Sequence, residues 1–285
     1  MDILDQIKSN LDANESLTKE VKDEIFQLII LFNQTFPDVS LEKLSSKIKN
    51  VKVGKITLYE RKGPVVYDAV HNKILLNIKS LESDYDVKHL MMKGILGMIS
   101  ACDNFYGFNR NDSLYALNMG FTEMLANTLV GNEGICDFEE EVLATNLISR
   151  VIGKDIMFDA YFNNDAEIIF KKLLEAEVSW MALTKTERIV QNLNYTITSR
   201  ISRGSAEYTN DTYPLAIREI AELYSRQVSN GLKNPEEINE FMDQLSLVRY
   251  LDRVNSYPNI TKIPEEFSTI YELSNTNEQT LGRAI

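Results

Sequence analysis

Apolar residues recur at helical spacing through most of this chain, and at strand spacing in one short stretch. Val21, Ile25, Leu28, Ile29, Leu31 and Phe32 form a stripe that Asn14 to Glu20 leads into and Pro37 closes. Ser40 is placed to cap a second, shorter helix with Leu41, Leu44, Ile48 and Val51 on one side. Residues 1–50 therefore read as a helical lead-in.

Between Val51 and Ile78 the period changes. Val53, Ile56, Leu58 and Tyr59, then Val65, Val66 and Tyr67, then Ile74, Leu75, Leu76 and Ile78 are short β-branched and aromatic runs. Gly54, Gly63-Pro64 and His71-Asn72 punctuate them, which predicts a small sheet of about three strands with His71-Asn72 in a tight turn. Beyond Asp86 the spacing predicts helices over 87–101, 113–130, 138–152, 166–174, 178–201, 214–228, 235–254 and 264–273. Pro214, Pro235 and Pro264 each stand in a first helical turn. The polar loop 203–212 is the best boundary, and the polar residues 275–285 read as a frayed end. The expected organisation is a lead-in (1–50), a mixed domain (51–202) and a helical C-terminal extension (213–285). The fold class is mainly α (α+β).

Composition narrows the partners. With 285 residues and 44% hydrophobic content the chain can bury a full core. Its net charge of −12 repels phosphate backbones and anionic lipid, so neither nucleic acid nor membrane is expected as a partner. Met1 to Gln6 lacks the basic and apolar regions of a secretory leader, and the apolar cluster 25–32 is too short to span a bilayer, which points to a cytoplasmic protein. Cys102 and Cys136 have no CxxC spacing and read as reduced, partly buried thiols.

The chemistry lies in the order of three segments. Tyr67-Asp68 and Asn72-Lys73-Ile74-Leu75-Leu76-Asn77 come first, then Lys93-Gly94-Ile95-Leu96-Gly97-Met98-Ile99-Ser100, then Asn118-Met119-Gly120-Phe121-Thr122-Glu123. This order and spacing resemble zincin-like (gluzincin-type) metallopeptidases of low-GC Gram-positive bacteria and their mobile elements. Those proteins run a "YD..xNxIxLN" strand pair, an HELxHxxS helix and a NEGxTE-like helix. The resemblance covers roughly residues 50 to 175, with 138–155 and 159–162 resembling the helical continuation of that group, and implies a zincin-like core. Such a site needs two histidines four residues apart, a glutamate beside the first, and a third ligand from the next helix. The resemblance puts Lys93 and Gly97 where the zinc histidines stand, Gly94 where the general base stands, and Met119 where the third ligand stands. Lys93, Gly94, Gly97, Met119 and Glu123 are thus degenerate site positions, with no catalytic residue, no metal ligand and no cofactor.

Other features admit alternatives. Two helical glycines cost about 1 kcal/mol each relative to alanine, unless another part of the chain packs close against them. Lys93 either supplies some of the lost positive charge and pairs with Glu123, or faces solvent. His71 and His89 are the chain's only histidines. They are either packed or solvated side chains, or two ligands of a site completed by Asp68 or Glu123. Glu139-Glu140-Glu141 and Glu236-Glu237 read as solvated helix starts. The stripes Trp180, Leu183, Ile189, Leu193 and Ile197, and Phe241, Leu245, Leu247, Val248, Tyr250, Leu251 and Val254, read as packing seams or a docking groove. The functional expectation is a pseudo-metallopeptidase that works through a protein partner or self-association. The competing readings are a structural part of a phage or mobile-element assembly, virion included, and a hydrolase rebuilt around Glu123 and His89.

Overall fold

Asn14 shows how the amino-terminal helices are fastened. Its buried amide donates to the carbonyls of Ile48 and Val51 at 3.1 and 2.9 Å, while its own oxygen accepts from the Ser16 N–H. One side chain thereby ties the turn after the first helix to the end of the third. The computed structural model describes residues 2–56, 65–77, 84–109, 113–134, 138–177, 181–203 and 212–248. Over these residues the chain is mainly helical with a small sheet.

The amino-terminal helices are α1 (Ile3–Asp12), α2 (Lys19–Thr35) and α3 (Glu42–Ile48). Thr18 caps α2, and Ile25, Leu28, Ile29 and Phe32 form its buried face. Strands β1 (Lys52–Ile56), β2 (Val65–Asp68) and β3 (Lys73–Asn77) follow. They form a sheet of order β1-β3-β2, with β1 parallel and β2 antiparallel to β3. Asn72 turns the β2–β3 hairpin at φ +52°, a left-handed conformation that asparagine tolerates, and donates to the Lys47 carbonyl at 2.8 Å.

Helix α4 (Val87–Ile99) starts at Asp86, whose carboxylate accepts from the N–H groups of Lys88 and His89. From His89 to Ile99 every residue of it is buried, as for a helix covered on all sides. A short hairpin, β4 (Ala101–Cys102) and β5 (Phe105–Tyr106), leads to α5 (Tyr115–Val130). Next come α6 (Glu139–Ile152), α7 (Lys154–Asn163), α8 (Ala166–Ala176), α9 (Ala182–Arg203), α10 (Thr212–Ser229) and α11 (Pro235–Ser246).

The chain divides into two compact units. The first takes in Met1–Val142, Phe158–Ala166 and the described part of 197–208, and the second Leu143–Met157, Glu167–Thr196 and the described residues beyond 209. Inside the first, α4 packs against the sheet and against α5. The second is laced by ion pairs: the buried carboxylate of Glu177 meets Arg226 and Lys185, and Lys185 also meets Glu222 at 3.2 Å. Tyr224 stacks on Phe241 at 3.8 Å, and Asn234 with Glu237 forms a reciprocal cap at the start of α11.

The units do not follow the boundaries 1–50, 51–202 and 213–285. The lead-in helices belong to the first unit, because Lys47 reaches the Ala101 carbonyl at 2.9 Å and the α1 and α2 stripes are buried. The helix expected over 87–101 stops at Ile99, where the chain turns into β4. The β4–β5 hairpin has no counterpart in the expected elements; α1 lies inside the helical lead-in, where the sequence does not mark it as a helix of its own, and α7 falls on the helical continuation that the resemblance implies at 154–155 and 159–162. Glu141 is buried, so the three acids at the start of α6 are not all solvated. On the expected seams Ile189, Leu193, Ile197, Phe241, Leu245 and Val248 are buried, whereas Leu183 and Leu247 are exposed. Trp180, Cys136, Tyr250, Leu251, Val254, the helix expected at 264–273 and the end 275–285 lie outside the described residues.

Candidate functional site

On α4, residues 89, 93 and 97 recur every four positions and share a face. Helix α5 presents Met119 and Glu123 by the same rule. Where the two helices meet, Glu123 accepts on Oε1 from His89 Nε2 at 2.8 Å and on Oε2 from the Lys93 ammonium. His89, Lys93 and Glu123 are 2%, 4% and 1% exposed.

The rest of the shell is supplied by the α5–α6 connection. Gly131 ends α5 at φ +71°, where glycine is free of strain, and its carbonyl lies 2.7 Å from His89 Nδ1. A carbonyl only accepts, so Nδ1 donates to it. Nε2 faces a carboxylate, so the ring donates from both nitrogens, as an imidazolium does. The Lys93 ammonium lies 4.6 Å from the centroid of the buried Phe138 ring, a cation–π contact.

Glu123 thus sits between two donors of positive character. Burial pushes its carboxyl up, but the hydrogen bond from His89 and the charges of Lys93 and His89 outweigh that and hold it down at about 2. The carboxylate is ionised across the physiological range. Beside it on α5, Thr122 donates to the Asn118 carbonyl at 2.7 Å and meets Tyr161 Oη at 2.7 Å. Since the threonine hydroxyl has one proton, Tyr161 is the donor of that pair. Burial, working against the hydrogen bonds that Tyr161 makes with Thr122 and Ser100, pushes its phenol up to about 12. Asn164 donates to the Ser100 and Gly107 carbonyls at 2.6 and 2.9 Å, and Asn118 Oδ1 accepts from the Phe108 N–H, so the stretch from Ser100 to Phe108 after α4 is pinned at both ends.

The degenerate positions do not converge on one point. Lys93 and Glu123 come together. Gly94 and Gly97 instead lie under the sheet: a Cβ at Gly94 would stand 2.6 Å from Ile74 Cγ2, and one at Gly97 would stand 2.8 Å from Tyr67 Cβ. The close approach that offsets the two glycines' helix cost is therefore made by sheet side chains. Met119 is buried with its sulfur 3.7 Å from Tyr106 Oη. The polar cluster lies one turn earlier on α4 and one turn later on α5 than the positions 93, 97 and 119. That paired shift is what two helices packed in opposite directions require.

The zinc ion implied by the resemblance does not fit these residues. A protonated lysine has no lone pair for a metal, and both oxygens of Glu123 are already engaged. Among the described residues no group of three His, Cys, Asp or Glu side chains could hold a metal ion. The two histidines serve different carboxylates: His71 Nδ1 meets Asp68 at 2.7 Å in the exposed β2–β3 turn, away from the buried pair of His89 and Glu123. Sequence spacing places His89 one turn from Lys93. It gives no sign of Phe138 or of the Gly131 carbonyl, since neither residue type marks a partner for a cation. No helix among the described residues is long and apolar enough to cross a membrane. Compared with protein-family models, with curated proteins and with solved structures, the chain matches none.

Proposed function

We propose that this chain is a non-catalytic, zincin-like interaction module, a pseudo-metallopeptidase that works through contacts with a protein partner or a second copy of itself. The observation that carries the reading is the state of Glu123. Its two oxygens are committed to His89 and Lys93 inside a buried cluster. A general base must reach its substrate's proton directly or through one water. A carboxylate held at about 2 and flanked by two donors is also a poor proton acceptor at neutral pH. The helix-pair scaffold is retained while its polar groups bind one another.

One contact favours a second reading. His89 and Glu123 at 2.8 Å have the form of an orienting dyad, which a rebuilt hydrolase would use. The two are separated by incubating the full chain with casein and a mixed peptide pool, with and without added zinc, beside a Glu123→Ala variant. The expected result is no turnover by either protein. Turnover by the wild type that the substitution abolishes overturns the interaction reading. Light scattering then distinguishes a module that pairs in the cytoplasm from a building block of a phage assembly, which gives large stable oligomers.

A further inference from the structure

We infer that the Lys93 ammonium takes the place of a divalent cation, coordinated between α4 and α5 by His89 and Glu123, and that this internal cation is why the chain needs no metal. The inference rests on the pseudo-metallopeptidase reading and deepens it, because it concerns what fills the space between the two helices.

Three features of the cluster carry it. His89 and Lys93 are four residues apart on one helix, and Glu123 comes from the next, so three side chains from two helices meet at one buried point. Two imidazoles at that spacing with a carboxylate from a neighbouring helix form a complete protein ligand set for zinc. Next, the orientation of His89 is fixed from behind: Nδ1 donates to the Gly131 carbonyl, which turns Nε2 inward. That is how a ligating histidine is ordinarily oriented. Finally, the reach is right. An imidazole plus one ~2.0 Å metal–nitrogen bond spans roughly the length of an extended lysine side chain, so an ion held by a histidine at position 93 would lie where the ammonium now lies. The ammonium is in contact with a Glu123 oxygen there. Ligand atoms at ~2.0 Å from a tetrahedral ion stand roughly 3.3 Å apart, against 2.8 Å between His89 Nε2 and Glu123 Oε1, a gap that a small side-chain rotation opens.

The charges are consistent with this substitution. Glu123 and Glu141 are the buried carboxylates among the described residues of the first unit, and Lys93 is its buried lysine. Among the described residues, Phe138 lies against the cation with its ring. A ring face stabilises an ammonium but donates no lone pair to zinc, so a metal at this point would leave one position for water.

The test is the Lys93→His substitution in the full chain, refolded from denaturant with and without zinc beside the wild type and a Lys93→His, Glu123→Gln double variant. Bound zinc is counted after desalting, and the thermal midpoint is followed against zinc concentration. The expected result is about one zinc per chain in Lys93→His, with a midpoint that rises as zinc rises, none in the wild type, and at least ~10-fold weaker binding in the double variant. Lys93→His that folds without taking up zinc overturns the inference. So does Lys93→His that fails to fold at any zinc concentration, and so does stoichiometric zinc in the wild type. None of these outcomes for the variant bears on wild-type turnover, which decides the functional reading separately.

Discussion

Replacing Glu123 by Gln removes one charge from the centre of the first unit while keeping the shape of the side chain. Glutamine offers a single oxygen, so its amide nitrogen faces either the Lys93 ammonium or His89 Nε2, donor against donor, in a place where all three side chains are buried. Breaking a buried pair by removing one partner costs roughly 3–5 kcal/mol, because the other charge is left uncompensated. Set against a total stability of about 5–15 kcal/mol, that is a large share. At about 2–4 °C per kcal/mol for a domain of this size, the thermal midpoint falls by roughly 6–20 °C. Urea unfolding followed by circular dichroism at neutral pH measures it. The decisive comparison is the double variant Lys93→Met, Glu123→Gln, in which neither charge is left stranded. It is expected to recover at least ~1 kcal/mol relative to the sum of the single losses. A Glu123→Gln protein within about 0.5 kcal/mol of the wild type, or strictly additive single losses, refutes the ion cluster as the structural centre of the α4–α5 contact.

Gly97→Ala sets a helix-propensity gain of about 1 kcal/mol against overpacking of about 1–3 kcal/mol where the new Cβ meets Tyr67 Cβ at 2.8 Å, so a net loss of up to about 2 kcal/mol is expected in urea. A stabilised Gly97→Ala protein would show that the sheet does not press on this face of α4. Acid behaviour follows from Glu123. Its carboxyl is held at about 2, below the ordinary value near 4.3, so its contribution is complete above roughly pH 5 and is lost as pH falls towards 2. The amount is on the order of 3 kcal/mol. Wild-type stability should therefore drop more steeply than that of Glu123→Gln between those limits, and parallel curves would contradict the assignment.

The sequence made the helical character, the three-stranded sheet and the turn at Asn72 legible, because each has a local cause in residue period or backbone tolerance. It placed Lys93 opposite Glu123 as one of two options, and spacing alone could not choose, since burial depends on what covers α4. Phe138 and the Gly131 carbonyl provide that cover from beyond the end of α5, at a distance in sequence where no period connects them. Within the helical lead-in α1 does not stand out as a separate helix although Ile3, Leu4, Ile7 and Leu11 keep a helical period, because its Asp, Gln, Lys, Ser and Asn residues dilute the stripe. In sequence the lead-in looks separate from the core because Asn14, the residue that fastens it, reads only as a turn former. Glu141 misled for the opposite reason: three acids at a helix start usually face water, and here one faces inward.

The central claim is that an ammonium, and not a metal, balances Glu123 between α4 and α5. Its most direct test is the zinc content of the full wild-type chain after folding in excess zinc and exhaustive desalting. The account predicts far less than one ion per chain, unchanged when His89 is replaced by alanine. One firmly held ion that disappears in the His89→Ala protein would contradict it.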